Sequence, residues 1–132
     1  MLRVLDGQGR GFPRILVVDD DGGLQLLVRG ILEQYGYMVD VAADGLAACE
    51  MAGQTNYDAI VCDVIMPRMD GTEFYAKLRE TDSEQAQRVV FVTGAILDGP
   101  TREQLHHSGR RVIRKPFNIE EFELAIAEVV GD

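Results

Sequence analysis

Four apolar runs, each giving way to polar or charged residues, constrain this chain more than any other feature. Ile15-Leu16-Val17-Val18 leads into Asp19-Asp20, Ala59-Ile60-Val61-Cys62 into Asp63, and Val89-Val90-Phe91-Val92 into Thr93-Gly94. The fourth, Val112-Ile113-Arg114, leads into Lys115-Pro116. Short continuous runs rich in β-branched residues suit parallel strands covered on both faces. In an open parallel sheet the carboxyl ends of the strands share one edge, and ligands bind there. Carboxylates, a threonine and a lysine gathered on that edge are hard to explain as packing. Clustered carboxylates repel one another unless a cation neutralises them.

Between the runs the pattern turns helical. Leu24, Leu27, Val28, Ile31, Leu32 and Tyr35 recur at helical spacing, and Gly36 ends the segment. Asp21 suits the N-cap of this helix. A short strand over about 38–42 precedes a small helix with Leu46, Ala47, Ala48 and Met51. The turn-rich Met66-Pro67-Arg68-Met69-Asp70-Gly71 leads into a helix carrying Phe74, Tyr75 and Leu78. Asp98-Gly99-Pro100 marks a loop before a weak helix over 101–107, and the fifth strand ends at Lys115. Asn118 with Glu121 predicts a capping box opening the last helix, whose core stripe is Ile119, Phe122, Ile126 and Val129. Strands alternating with helices give an α/β, doubly wound, five-stranded parallel sheet, most simply in strand order 2-1-3-4-5. Gly7, Gly9, Gly11 and Pro13 break any period, so residues 1–13 read as a flexible tail or linker and 14–132 as one domain.

Composition removes several function classes. A net charge of −9 argues against nucleic acid as a direct partner. No apolar run is long enough to span a membrane, and no leader is evident. Cys49 and Cys62 lack metal-ligand spacing and suit a reducing cytoplasm, with a Cys49–Cys62 disulfide left open. The adjacent His106 and His107 point in different directions on a helix and make a poor metal pair.

Val-Val-Asp-Asp at 17–20, Asp63 followed by Met66-Pro67-Arg68-Met69-Asp70-Gly71, Thr93-Gly94 and Lys115-Pro116-Phe117 occur in that order. Together they make the chain resemble the receiver domain of two-component response regulators over about residues 14–130. The resemblance implies the flavodoxin-like receiver fold, with Asp63 accepting a phosphoryl group as an acyl phosphate. It implies Mg²⁺ held by Asp20, Asp63 and the backbone carbonyl of Ile65, with Asp19 acting largely through water. Lys115, Thr93 and the backbone N–H groups of Val64 and Gly94 would cradle the phosphoryl oxygens, and the Lys115–Pro116 peptide would be cis. The implied partners are a histidine kinase or histidine phosphotransfer protein, docking near the exposed Leu26 and Leu124; the oligomeric state is unassigned. Such a domain catalyses only its own phosphorylation and dephosphorylation, so it is not expected to be a turnover enzyme. Ile65 and Ala95, which cannot hydrogen-bond through their side chains, predict a long-lived acyl phosphate.

The chain departs from the family pattern in places. Val112 stands where many receivers carry an aromatic residue, Gly94 replaces the commoner alanine, and the segment 109–115 is short. These features are similar to receivers of hybrid histidine kinases, and both a stand-alone protein and a piece of such a kinase stay open. A Mg²⁺-dependent phosphohydrolase would want an Asp-x-Asp pair at its nucleophile, which Asp63-Val64-Ile65 does not supply. A flavodoxin-like cofactor binder would not place Asp19-Asp20-Asp21 where a phosphate must sit. A pseudo-receiver scaffold would not need every site residue.

Overall fold

The computed structural model describes residues 12–131. Five strands, β1 (Arg14–Val18), β2 (Met38–Ala42), β3 (Ala59–Asp63), β4 (Val89–Thr93) and β5 (Val112–Arg114), form one parallel sheet in the order β2-β1-β3-β4-β5. The helices are α1 (Gly22–Gln34), α2 (Gly45–Gln54), α3 (Gly71–Thr81), α4 (Ser83–Ala86), α5 (Gly99–Ser108) and α6 (Ile119–Val130). This is the fold and strand order the sequence predicts. Most of the assigned tail, residues 1–11, lies outside the described residues. The Pro13 carbonyl accepts a 2.9 Å bond from Met38 N–H, so the pairing of β1 with β2 is extended by one residue.

Strand alternation divides the core in two. Ile15, Val17, Val61, Val90 and Val92 point to the face covered by α1 and α6, where Val28, Leu32, Phe122 and Ile126 meet them. Leu16, Val18, Ile60, Cys62 and Phe91 point to the opposite face, with Ala48, Ala52, Phe74, Leu78 and Leu105 from α2, α3 and α5. Phe122 stacks on Phe117 at 4.9 Å, and Tyr75 packs edge-on to Phe91 at 5.8 Å.

Several local expectations change. The core stripe of α1 is narrower than its apolar content: Val28 and Leu32 are buried, whereas Leu27 and Tyr35 are exposed. Successive helical residues turn by about 100°, which carries Leu27 away from the line of Val28 and Leu32. Leu46 on α2 is exposed, and Ile119, at the first turn of α6, is 49% exposed instead of core-facing. Asp98-Gly99-Pro100 is not a loop but the cap and first turn of α5, because proline at a helix start lacks only an N–H that would be orphaned anyway. Asn118 caps α6 through bonds from Glu120 and Glu121 N–H at 2.8 and 3.1 Å. The reciprocal capping box forms instead at the start of α3, between Asp70 and Glu73. The short helix α4 carries no periodic signal and is absent from the sequence reading. Both cysteines are free thiols, Cys62 buried and Cys49 half-buried with its Sγ 3.7 Å from Met69 Sδ. No helix among the described residues is long and apolar enough to cross a membrane.

Candidate functional site

The carboxyl edge of the sheet assembles the site from four strand ends. Asp19 follows β1 directly, held by a 3.0 Å bond from its N–H to the Ala42 carbonyl. Its Oδ1 accepts from Asp21 N–H at 2.9 Å, and the Gln25 amide donates to its carbonyl. Asp21 caps α1 by accepting from Gly23 and Leu24 N–H at 2.9 and 3.2 Å. The middle carboxylate, Asp20, is thereby left exposed at the mouth. Asp63 closes β3, its Oδ1 accepting from Val64 N–H at 2.8 Å. Lys115 reaches in from the end of β5, its Nζ 3.2 Å from Asp19 Oδ2 and 3.7 Å from Asp63 Oδ2. The backbone N–H of Lys115 is tied to the Thr93 carbonyl at 2.8 Å, and its peptide bond to Pro116 is cis. Thr93 is fully buried, and its hydroxyl oxygen accepts from Ala95 N–H at 3.2 Å.

Two glycines let the loop after Asp63 fold down. A Cβ on Gly71 would stand 2.2 Å from the Asp63 carbonyl oxygen, and Gly71 N–H donates to the Val64 carbonyl at 2.8 Å. The first turn of α3 is therefore pressed against the backbone that bears the Asp63 side chain. A Cβ on Gly45 would meet the Met69 carbonyl oxygen at 2.5 Å, which docks the same loop on the start of α2. At Gly94 the constraint is mild, since an added Cβ would touch only the Lys115 stem at 3.4 Å.

The electrostatics follow from burial and from unequal charge. Burial raises the Asp63 carboxyl above the ordinary carboxylate range; Lys115 opposes the rise, Asp19 adds to it, the Val64 N–H opposes it and Asp20 adds to it. One ammonium faces three carboxylates. Oxygens of Asp19, Asp20 and Asp63 lie within 4.8 Å of one another, a hard-oxygen set that fits a divalent cation such as Mg²⁺. Burial also raises the neighbouring Cys62 thiol well above its usual value, with Asp63, Asp19 and Asp70 adding to the effect, so it is protonated and chemically quiet.

Asp19, Asp20, Asp63, Thr93 and Lys115 thus come together on one edge. Ile65 lies two residues beyond Asp63 with its side chain half exposed at the rim, and the Val64 carbonyl before it is already engaged by Gly71. The sequence reading missed Gln25, which fixes the Asp19 backbone, and the packing roles of Gly45 and Gly71. Gly71 had a signal in its place directly after the Asp70 cap. Gln25 had none.

Residues 15–127 match the family described as the response regulator receiver domain. The response regulator MprA of Mycobacterium ulcerans is 37% identical over 108 residues, covering 82% of this chain and 46% of the relative. Transcription factor SKN7 of Saccharomyces cerevisiae is 29% identical over 123 residues, covering 93% of this chain and 19% of the relative. The chain therefore spans less than half the length of these curated relatives. Among solved structures, a CheY-like response regulator receiver domain protein from Methanospirillum hungatei superposes with a TM-score of 0.83 at 26% identity, covering 91% of this chain and 94% of that one. The receiver domain of sensor histidine kinase PA1611 from Pseudomonas aeruginosa, which has a magnesium ion coordinated in its active site cleft, gives a TM-score of 0.80 at 28% identity. That match covers 92% of this chain and 100% of the other. By family match, fold and site together, the chain belongs to the response regulator receiver domains of two-component systems.

Proposed function

We propose that this receiver takes a phosphoryl group from a phosphohistidine onto Asp63 and signals through a partner protein. The observation that carries this reading is Lys115 Nζ, poised 3.2 Å from Asp19 and 3.7 Å from Asp63 beside a third carboxylate. An oxygen of the Asp63 carboxylate attacks phosphorus, a P–O bond forms, and the P–N bond breaks with its electron pair returning to the donor imidazole. Lys115 follows the charge that gathers on the phosphoryl oxygens. The Thr93 hydroxyl keeps a proton to donate, because it is engaged in the structure only as an acceptor. The Val64 N–H, bonded to Asp63 Oδ1, and the Gly94 N–H complete the donor set. Asp20, Asp63 and the Ile65 carbonyl would hold Mg²⁺, with Asp19 acting largely through water, and the ion would supply positive charge to oxygens that one lysine cannot neutralise.

On this reading the chain is a stoichiometric acceptor and not a turnover enzyme, working in the cytoplasm, where its free thiols stay reduced. Its donor is a histidine kinase or a histidine phosphotransfer protein. The apolar Ile65 rim and Ala95 offer no side-chain group to orient a hydrolytic water, so the acyl phosphate is long-lived. Incubation with acetyl phosphate and Mg²⁺, followed by intact mass, tests the reading. One phosphoryl group is expected on the wild type and none on Asp63→Asn or in chelator. Undiminished labelling of Asp63→Asn would overturn it.

A further inference from the structure

Away from the phosphoacceptor edge, α5 and β5 border an open surface hollow of about 490 Å³. Leu97, Leu105 and Val112 form its apolar part, and Arg102, Arg110, Arg114 and His106 line the rest. In a chain with 22 acidic and 13 basic residues, three arginines lining one hollow oppose the overall charge. Among the described residues Arg14, Arg29, Arg68, Arg88 and Arg111 each have a carboxylate within 4.0 Å. Among the described residues Arg79, Arg102, Arg110 and Arg114 form no such pair, and the last three line this hollow together. Arg110 donates to the backbone carbonyl of Gln87, which anchors one arm of its fork and leaves its charge uncompensated. The acidic groups nearby are Asp98, whose field reaches Arg102 but whose carboxylate is committed to capping α5, and Glu103, which lines an adjoining hollow with Arg102 and His106.

Like charges held together in this way repel, and an anion relieves them. Guanidinium forks match phosphate oxygens in pairs and also stack on planar rings. The volume falls within the range of small-ligand sites. Val112, partly buried against the core, forms part of the floor. We infer that the α5–β5 hollow binds a purine nucleoside phosphate, with the base against Val112 and the exposed edges of the largely buried Leu97 and Leu105, and the phosphate between the arginines. The strand beside it leads to the site: Arg114 pairs in register with Thr93, and Lys115 follows directly.

Titration of the ¹⁵N-labelled full chain with GMP, in chelator to keep phosphates off the Asp63 site, tests the inference. Saturable shifts of the Gly109, Arg110 and Val112 amides are expected, with a dissociation constant at or below about 1 mM. Guanosine and pyrophosphate, each carrying half of the recognition, should bind roughly tenfold more weakly. Arg102→Ala and Arg114→Ala, both on exposed side chains, should weaken GMP binding about fivefold or more, and Val112→Trp should abolish it. Acetyl phosphate labelling of Asp63 should persist in the arginine variants, which separates this site from the phosphoacceptor. No saturable shift, equal binding by the arginine variants, or a Glu-rich peptide that shifts the same amides at lower concentration than GMP would each overturn the inference.

Discussion

The two faces of the sheet are closed by different means. On one face α1 and α6, of 13 and 12 residues, lay continuous apolar stripes across all five strands. On the other, α2, α3, α4 and α5 share the work, and none exceeds 11 residues. That second face holds a fully buried glutamine and two α5-lined hollows, one of about 550 Å³ against α3 and one of about 490 Å³ against β5. The difference teaches where stability and adaptability lie. Two long helices fill a face by area alone, whereas several short ones leave their junctions to be closed by hydrogen bonds or left open to ligands. Substitutions on each face should therefore fail in different ways.

The largest loss should come from the two-helix face. Phe122 is fully buried against Ile113, Val90 and Val92 in one cluster, and Phe122→Ala should destabilise by about 3–5 kcal/mol, read as a shift in urea midpoint. Cavity cost of that kind depends on lost area, so Phe122→Leu should recover more than half. A variant series with no such size dependence would break the contrast.

On the opposite face the corresponding test is polar. Gln85 Oε1 accepts from Tyr57 N–H at 2.7 Å, and its Nε2 donates to the Ala52 carbonyl at 3.1 Å and to Asp82 at 3.0 Å. Gln85→Leu keeps the volume but orphans the Tyr57 N–H and the Ala52 carbonyl, at about 1–3 kcal/mol for each buried group. A loss near 2–4 kcal/mol is expected from urea unfolding. If the leucine variant is as stable as the wild type, this junction closes by packing after all, and the two faces do not differ in kind.

A smaller and pH-dependent effect sharpens the same contrast. Tyr57 is buried, and its hydroxyl donates to Asp40 Oδ2 at 2.8 Å. Burial first, then the Asp40 bond and charge, push its pKa up to about 12. A folded pKa above the unfolded one means that the folded state keeps its proton longer. The stabilisation is therefore complete below about pH 10 and is lost as pH rises towards 12. Tyr57→Phe should cost about 1 kcal/mol at pH 7, since Arg14 still holds Asp40 at 3.2 Å, and should remove this part of the alkaline loss. Parallel pH profiles for the two proteins between pH 10 and 12 would count against the assignment.

What could be read from sequence follows the same division. The two-helix face is periodic: Val28, Leu32, Phe122 and Ile126 announce themselves by spacing, and the strand runs announce the sheet. The site residues were legible because each stands where an apolar run ends, a one-dimensional mark of a three-dimensional edge. Gln85 left no mark, because a buried amide looks like any surface glutamine until its partners are known. Helix α4, one turn long, has too few residues to show a period. Leu27 and Ile119 misled in the opposite sense, since apolar character marks a core position only when the helix's orientation puts it there. Gln25 and Gly45 act through backbone contacts, which side-chain patterning does not encode.

The smallest expected effect on stability belongs to residues whose value lies outside the fold. Leu26 is 72% exposed on α1 and Leu124 is 58% exposed on α6, the two helices of the well-filled face. Replacing either by serine removes no buried contact, so stability should stay within about 0.5 kcal/mol of the wild type. A scattered exposed leucine is ordinary on any surface. These two, however, lie with the exposed Leu27 and Ile119 on the helices that follow β1 and β5, the strands whose ends carry Asp19 and Lys115. On the proposed function, a phosphohistidine donor must bring phosphorus to Asp63 and so must cover part of that neighbourhood. Small-molecule donors need no such surface. Leu26→Ser and Leu124→Ser should therefore leave acetyl phosphate labelling unchanged while slowing transfer from a cognate phosphohistidine protein several-fold, as expected when an apolar anchor is removed from an interface. Equal slowing with both donors would mean that the serines disturb the site itself. Unchanged transfer from the protein donor would return both leucines to plain surface and leave α1 and α6 as a face whose only work is to close the sheet.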